Sequence, residues 1–187
     1  MNIIIFGPPG AGKGTQAKNL VEKLNSFQVS TGDMLRDEIN KDTEIGKKII
    51  KNMNDGKYVD DGIVNNLLEK IIFDSQKKNK LIFDGYPRTI NQAKTLNNLL
   101  NKSNQKIDFI FFLNVNKNAI IKRIERRKIL EKRSDDDAST ILKRYDTYMQ
   151  VTKPVLDYYS KNENFYEVDG SMEIDDISQK IEQILKV

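Results

Sequence analysis

The residues best suited to chemistry lie in the run GPPGAGKGT at positions 7–15. This run follows the apolar residues 3–6 and precedes apolar residues at helical spacing, so it joins a predicted strand to a predicted helix. Glycine permits a positive φ, and such a backbone turns N–H groups inward, where Lys13 and the helix N-terminus add positive charge. The glycines of the run that permit this conformation are Gly7, Gly10, Gly12 and Gly14. The run therefore predicts a phosphate-binding loop.

The hydroxyl of this loop stands one place later than in the usual motif. In that motif Ser or Thr directly follows the lysine and binds Mg²⁺. Here Gly14 follows Lys13, and the hydroxyl comes at Thr15. The role of Thr15 toward a metal ion therefore stays open.

A second candidate is Asp84, which follows the apolar residues 81–83 and precedes Gly85. In open α/β sheets, ligands bind beyond the carboxyl ends of the strands, which is where this predicted strand places Asp84. Its carboxylate could hold Mg²⁺ through water. The alternative is that Asp84 only begins a turn at the end of the strand.

Composition narrows the possible reactions. The chain has 187 residues with no cysteine and no histidine, which excludes disulfides, thiolate zinc sites, thiol catalysis and an imidazole base. Phosphoryl transfer is compatible with that lack, because it depends on positioning and charge stabilisation. No long apolar span or cationic leader precedes the first strand, so we expect one cytoplasmic domain with inserted segments.

Arginine is scarce and unevenly distributed. The net charge is +4, with 24 lysines but only 7 arginines, and five of these arginines fall between positions 123 and 144. A guanidinium fork binds phosphate oxygens in a bidentate manner that lysine cannot match. This cluster is therefore a candidate phosphate site, although a solvated basic helix face would give the same pattern.

The elements that must position these residues alternate along the chain. Apolar runs with helical patterns between them predict strands at 3–6, 27–29, 81–83, 109–113 and 165–168. This order predicts an α/β fold with a five-stranded parallel sheet flanked by helices. Two helical patterns within 30–59 predict an inserted subdomain, and Asp60 is expected to cap the next helix. Residues 127–137 are predicted to form a loop or flap.

Four motifs, in this order and over nearly the whole length, resemble those of the adenylate kinase family: GPPGAGKGT, STGDMLR at 30–36, DGYPRTINQA at 84–93 and RSDDD at 133–137. The resemblance implies a P-loop nucleoside monophosphate kinase fold. It also implies reversible, Mg²⁺-dependent transfer of the γ-phosphoryl group of ATP to AMP, giving two ADP. The core would comprise 1–29, 60–126 and 138–187, with an AMP-binding insertion at 30–59 and a short lid at 127–137.

The resemblance also implies an ATP site. The phosphates would be wrapped by the loop residues Gly10, Ala11, Gly12, Lys13, Gly14 and Thr15. Arg123 would lie against the adenine, since guanidinium planes stack on rings, and the backbone of Met172 would contact the same base. Arg127 would also contact ATP.

On the AMP side, the resemblance implies contacts from Thr31, Arg36, Lys57, Tyr58, Val59, Gly85, Tyr86, Pro87, Arg88, Gln92, Arg133 and Arg144. For residues 57–59 the contact would be through the backbone, and the amide of Gln92 could pair with the adenine edge. Two roles are possible for Asp33. It could contact the phosphate-binding loop or a water molecule bound to Mg²⁺, or it could cap a helix that begins near Met34.

The catalytic clamp implied by the resemblance comprises Lys13, Arg88, Arg127, Arg133 and Arg144. Only residues 128–132 separate the two lid arginines, which matches the short-lid form without zinc-binding cysteines. We expect a monomer with ATP, AMP and Mg²⁺ as ligands and with no zinc, nucleic-acid or membrane partner.

Three other functions are alternatives to the one that the resemblance implies. UMP/CMP kinases are similar, but they usually read SAGD and PRN where this chain has STGD at 30–33 and PRT at 87–89. A GTPase-type switch is disfavoured because residues 116–119 lack the aspartate of the guanine-reading NKxD motif. Nucleic-acid binding rests only on the sequence pI of about 9.0.

Overall fold

The computed structural model of the chain describes residues 1–131 and 138–187. Five parallel strands form one sheet: β1 (Ile3–Phe6), β2 (Phe27–Ser30), β3 (Leu81–Asp84), β4 (Phe109–Asn114) and β5 (Phe165–Asp169). The sequence-based prediction of the sheet is confirmed, and each strand begins at the predicted residue. Four of the strands, β2 to β5, run one residue further than predicted.

The helices of the described part lie between and after the strands. They are α1 (Lys13–Leu24), α2 (Thr31–Asn40), α3 (Glu44–Asn54), α4 (Asp61–Ile72), α5 (Ile90–Lys102), α6 (Lys117–Glu131), α7 (Ala138–Thr147), α8 (Lys153–Tyr159) and α9 (Ile174–Leu185). A 3₁₀ turn covers Ser75–Lys77, and a π-helical turn covers Tyr148–Thr152. Among these described helices, none is long and apolar enough to cross a membrane.

The central strand β1 is buried on both faces. The sheet order is β2-β3-β1-β4-β5, and side chains along β1 alternate between two cores. Ile4 lies in the core formed with α4, α5 and α8, whereas Ile3 and Ile5 lie in the core formed with α1, α6 and α9. The chain that leaves β1 therefore emerges in the middle of the carboxyl edge of the sheet, between the ends of β3 and β4.

The segment between β2 and α4 contains two helices, as the sequence predicted. Side-chain hydroxyls cap both, because Ser30 Oγ accepts from the N–H of Asp33 and Thr43 Oγ1 accepts from the N–H of Gly46. The helices cross closely at Gly46, where a Cβ atom would lie 2.2 Å from the carbonyl oxygen of Glu38. Of the two alternatives for Asp33, the cap of α2 is wrong, since Ser30 provides the cap. The expectation for Asp60 is confirmed, since it caps α4.

The prediction of a loop at residues 127–137 is partly wrong. Helix α6 continues to Glu131, so the backbone of residues 127–131 is helical. No glycine or proline occurs between Lys117 and Glu131, and nothing in the sequence ends the helix earlier. Residues 132–137, including Arg133, lie outside the described residues.

A buried tyrosine in α8 carries an unpaired polar group. The ring of Tyr159 is 1% exposed and lies 5.6 Å from the ring of Phe6, centroid to centroid. Within the described residues, its hydroxyl has no hydrogen-bond partner. Burial accordingly raises the pKa of Tyr159 well above its ordinary value, with a smaller contribution from Tyr158 and Tyr86.

We expect Tyr159→Phe to raise the free energy of unfolding by about 1 kcal/mol at pH 7, because it removes a buried hydroxyl that has lost its hydration. Above pH 10 the unfolded tyrosine ionises before the folded one, so the wild type loses stability with rising pH and the variant loses less. Urea denaturation followed by circular dichroism at both pH values measures the two effects.

The neighbouring Tyr158 provides a matched control, since it is 40% exposed. Tyr158→Phe should change stability at pH 7 by less than about 0.5 kcal/mol. A loss of more than 1 kcal/mol in Tyr159→Phe would mean that the Tyr159 hydroxyl is stabilised by a partner.

Candidate active site

The loop between β1 and α1 has the backbone of a phosphate-binding loop. Gly10 and Gly12 have φ values of 81° and 94°, a region that side chains disfavour. Gly12 precedes the first turn of α1, and among the described residues no side chain caps that helix. The N–H groups of the first turn are therefore available to an anion. Gly14 lies within α1 and does not adopt a positive φ.

Lys13 begins α1 and folds back over the loop. Its ammonium donates to the carbonyl oxygens of Gly7 at 2.8 Å and Pro8 at 3.0 Å. These contacts hold the ammonium of Lys13 against the backbone of the loop. The charge of Lys13 thus lies at the loop that the sequence predicts to bind phosphate.

Asp84 lies beside the same helix terminus. In the parallel pairing of β1 with β3, Ile5 is opposite Asp84, which brings the carboxylate next to the first turn of α1. A Cβ atom on Gly14 would lie 3.3 Å from Asp84 Oδ2, and the amide of Gln28 donates to that oxygen at 3.2 Å. Gln28 was missed in the sequence; its signal was a polar residue inside the apolar run of β2.

The predicted adenine residues of the ATP site come together. The guanidinium of Arg123, on α6, donates to the carbonyl oxygens of Ala11 at 3.4 Å and Met172 at 3.5 Å. It therefore links the phosphate-binding loop to the loop after β5. Asp169 shapes that second loop by accepting from the backbone and hydroxyl of Ser171, and these bonds lower the pKa of Asp169.

Arg88 is held by several contacts on the opposite side. Its Nε donates to the carbonyl oxygen of Gly85 at 2.7 Å, and its guanidinium carbon lies 5.0 Å from the centroid of the Tyr58 ring. Gly85 has a φ of 74°, and a Cβ atom there would lie 3.0 Å from Arg88 Nη2. The hydroxyl of Thr31 donates to the same carbonyl of Gly85 at 2.9 Å. The turn after β3 thus needs glycine to accommodate the arginine.

One cleft of about 1010 Å³ connects these groups. It is lined by the loop before α1, the end of β3, and parts of α2, α3, α6 and α7 with the loop after β5. The volume is at or above the upper end of small-molecule sites, roughly 300–1,000 Å³. Its walls include most of the predicted site residues: Gly10, Ala11, Gly12, Lys13, Gly14, Thr15, Arg36, Lys57, Tyr58, Val59, Asp84, Gly85, Pro87, Arg88, Arg123, Arg144 and Met172.

Three predicted AMP residues do not line the cleft but lie behind its wall. Thr31, Tyr86 and Gln92 are each at most 4% exposed. Gln92 Oε1 accepts from the N–H of Arg88 at 2.7 Å, and its Nε2 donates to Asp61 at 2.6 Å. The Tyr86 hydroxyl donates to Asn65, and burial raises its pKa. In this structure these side chains support the segment that carries Arg88.

Asp33 and Arg36 form an ion pair at the cleft. Asp33 accepts from the guanidinium of Arg36 at 2.5 Å, and both residues line the cleft. The Arg127 backbone lies in α6, but its side chain, like the whole of Arg133, lies outside the described residues. Within the described residues, no group of three or more His, Cys, Asp or Glu side chains could hold a metal ion.

A parallel sheet with a glycine-rich loop between its central strand and a helix N-terminus defines a P-loop phosphotransferase fold. The family model for adenylate kinase matches residues 5–164. Curated relatives cover this chain fully. The adenylate kinase of Pelagibacter ubique is 47% identical over 213 aligned positions and is itself covered completely. Those of Mycoplasma capricolum and Caulobacter sp. are each 40% identical, with 100% and 99% of the relative covered.

The chain therefore belongs to the adenylate kinase family, and it is a nucleoside monophosphate kinase. The family resemblance read from the four sequence motifs is confirmed. The alignment with the Pelagibacter protein is longer than the 187 residues of this chain, so that relative has residues that this chain lacks. The alignment with the Caulobacter protein spans 187 positions.

We expect Lys13→Met to lower turnover at least ~100-fold, because it removes a charge that stabilises the transferring phosphoryl group. A coupled assay for ADP measures the rate, and circular dichroism with the melting temperature checks the fold. Lys23→Met is the control: Lys23 lies on the same helix but pairs with Glu182 at the surface, and its loss should leave turnover unchanged. Lys13→Met with half the wild-type rate would contradict the loop assignment.

Proposed function

We propose that the cleft binds ATP and AMP together, with the ATP phosphates on the loop at 7–15 and AMP between the insertion at 30–59 and the turn at 85–88. The γ-phosphoryl group of ATP then passes to AMP, and two ADP form. The observation that carries this proposal is the shared cleft of Lys13, Arg36, Arg88 and Arg144, cations from four separate segments. Such a concentration of positive charge suits the phosphate groups of two nucleotides.

The chemistry needs no protein base. The attacking oxygen belongs to the AMP phosphate, which is already ionised at neutral pH, so a histidine is not required. Lys13, Arg88 and Arg144 would offset the charge that spreads over the transferring group. The same task falls to Arg127 and Arg133 in our proposal, which for these two residues rests on the family motif alone.

Mg²⁺ fits this site only together with ATP. Asp84 is a single carboxylate beside the helix terminus, and the described residues provide no cluster that could bind a metal by themselves. Magnesium usually keeps several waters and binds one or two carboxylates plus substrate phosphates. We therefore assign Asp84 a water-mediated contact to Mg²⁺, which would neutralise phosphate charge. The hydroxyl of Thr15 is exposed on the cleft wall and is a second candidate.

The residues that would bind AMP determine which monophosphate accepts the phosphoryl group. The relatives that match this chain over its full length are adenylate kinases, which supports AMP over UMP or CMP. We propose that Gln92 and Thr31 recognise AMP. The amide of Gln92 already bonds to Arg88 and Asp61, so contact with an adenine requires the exchange of one of these bonds.

Closure over the nucleotides belongs to the same proposal. The insertion at 30–59 and a short lid at 127–137 would move toward the loop at 7–15, exclude water and suppress hydrolysis of ATP. A monomer leaves both flaps room to move. The monomeric state, the zinc-free site and the domain boundaries stay predictions.

We expect AMP to exceed CMP and UMP by at least about 100-fold in kcat/KM, because a site with buried hydrogen-bonding groups rejects partners that leave them unpaired. The measurement is ADP formation from ATP with each monophosphate in turn. If CMP or UMP equalled AMP, the pyrimidine-kinase alternative would replace the proposed function.

A further inference from the structure

Hydrogen bonds hold Arg88 at its backbone and at Nε. Its N–H donates to Gln92, its Nε donates to Gly85, and its carbonyl oxygen accepts from the hydroxyl of Thr152 at 3.1 Å. Within the part of the chain that the structure describes, neither Nη1 nor Nη2 donates a hydrogen bond. The planar fork is thus held at its base, and Arg88 lines the cleft.

Tyr58 contacts the same arginine through its ring. The guanidinium lies 5.0 Å from the ring centroid, within the range of a cation–π interaction. The family resemblance implied only a backbone role for this residue. Its side chain is half-buried on the wall of the cleft, opposite the turn at 85–88.

The hydroxyls of Tyr58 and Thr152 form a chain with a fixed direction. Their oxygens lie 2.7 Å apart, and Thr152 already donates its one proton to the carbonyl of Arg88. Tyr58 must therefore donate to Thr152. Thr152 is 3% exposed and ends the π-helical turn between α7 and α8, so it is a buried and well-fixed anchor. Bonds in such a chain strengthen one another.

We propose that Tyr58 and Thr152 are positioning residues that orient the guanidinium of Arg88 toward the phosphate of the acceptor nucleotide. The ring of Tyr58 holds the guanidinium plane, and Thr152 ties that ring to the backbone of Arg88 itself. Since Tyr58 lies just after α3 and Thr152 just before α8, the pair also couples the insertion to the core at the acceptor site. This inference rests on the proposed function, because it assumes that Arg88 binds the acceptor phosphate.

The test compares graded variants in steady-state assays in which ATP and AMP are varied separately. Tyr58→Leu, which removes ring and hydroxyl, should lower kcat/KM for AMP about 10-fold, and Tyr58→Phe, which keeps the ring, about 3-fold. Thr152→Val should resemble Tyr58→Phe, and Thr152→Ser should restore the wild-type value. KM for ATP should stay within about 2-fold in every variant. An equal loss of kcat/KM for AMP and for ATP would overturn the positioning role.

A double-mutant cycle tests whether Tyr58 acts through Arg88 or through a general effect on the structure. In an Arg88→Met background, Tyr58→Leu should have little further effect on kcat/KM for AMP, because the side chain that it orients is gone. Additive losses would overturn the proposal. Phe27→Leu is the control, since it removes a cation–π contact with Lys77 that lies outside the cleft, and its kinetics should equal those of the wild type.

The outcomes separate this inference from the proposed function. If the wild-type protein forms no ADP from ATP and AMP, the proposed function fails. If the wild type is active and Tyr58→Leu and Thr152→Val keep full kcat/KM for AMP, only the positioning role fails. Melting temperatures identify a variant that does not fold, in which case Tyr58→Phe still decides the matter.

Discussion

The parallel pairing of β1 with β3 is the constraint on which the site depends. It places Asp84 opposite Ile5 and so brings the end of β3 beside the loop that leaves β1. The isoleucines of β1 bury this pairing on both faces of the sheet, with Ile4 in one core and Ile3 and Ile5 in the other. The loop before α1, the carboxylate of Asp84 and the turn at 85–88 therefore lie at one edge of the sheet.

The second feature of the site is how it keeps several cations close together. Arg88 and Arg123 both donate to backbone carbonyl oxygens of neighbouring loops. A carbonyl orients a cation without neutralising it, whereas a carboxylate would compete with the ligand for its charge. Arg36 differs, because it forms an ion pair with Asp33. A phosphate that bound Arg36 would have to compete with that carboxylate.

Much of this arrangement could be predicted from the sequence, and the exceptions have physical causes. The strands follow from short apolar runs, and the phosphate-binding loop follows from glycines between a strand and a helix. The helical backbone at 127–131 was not predicted, because a run of charged residues indicates exposure but not conformation. The burial of Gln92 and Tyr86 behind the wall of the cleft could not be predicted, since spacing along a chain does not say which side of a turn faces a cleft. The contact between Tyr58 and Thr152 joins residues 94 positions apart, and no local pattern reveals it.

We propose that one cleft holds both nucleotides, with their phosphates meeting between Lys13 and Arg88. Isothermal titration with a compound of two adenosines joined by five phosphates tests it directly. We expect one bound molecule per chain, displacement by ATP and by AMP alike, and binding at least about 10-fold weaker in both Lys13→Met and Arg88→Met. Two bound molecules per chain, or displacement by only one of the two nucleotides, would contradict it.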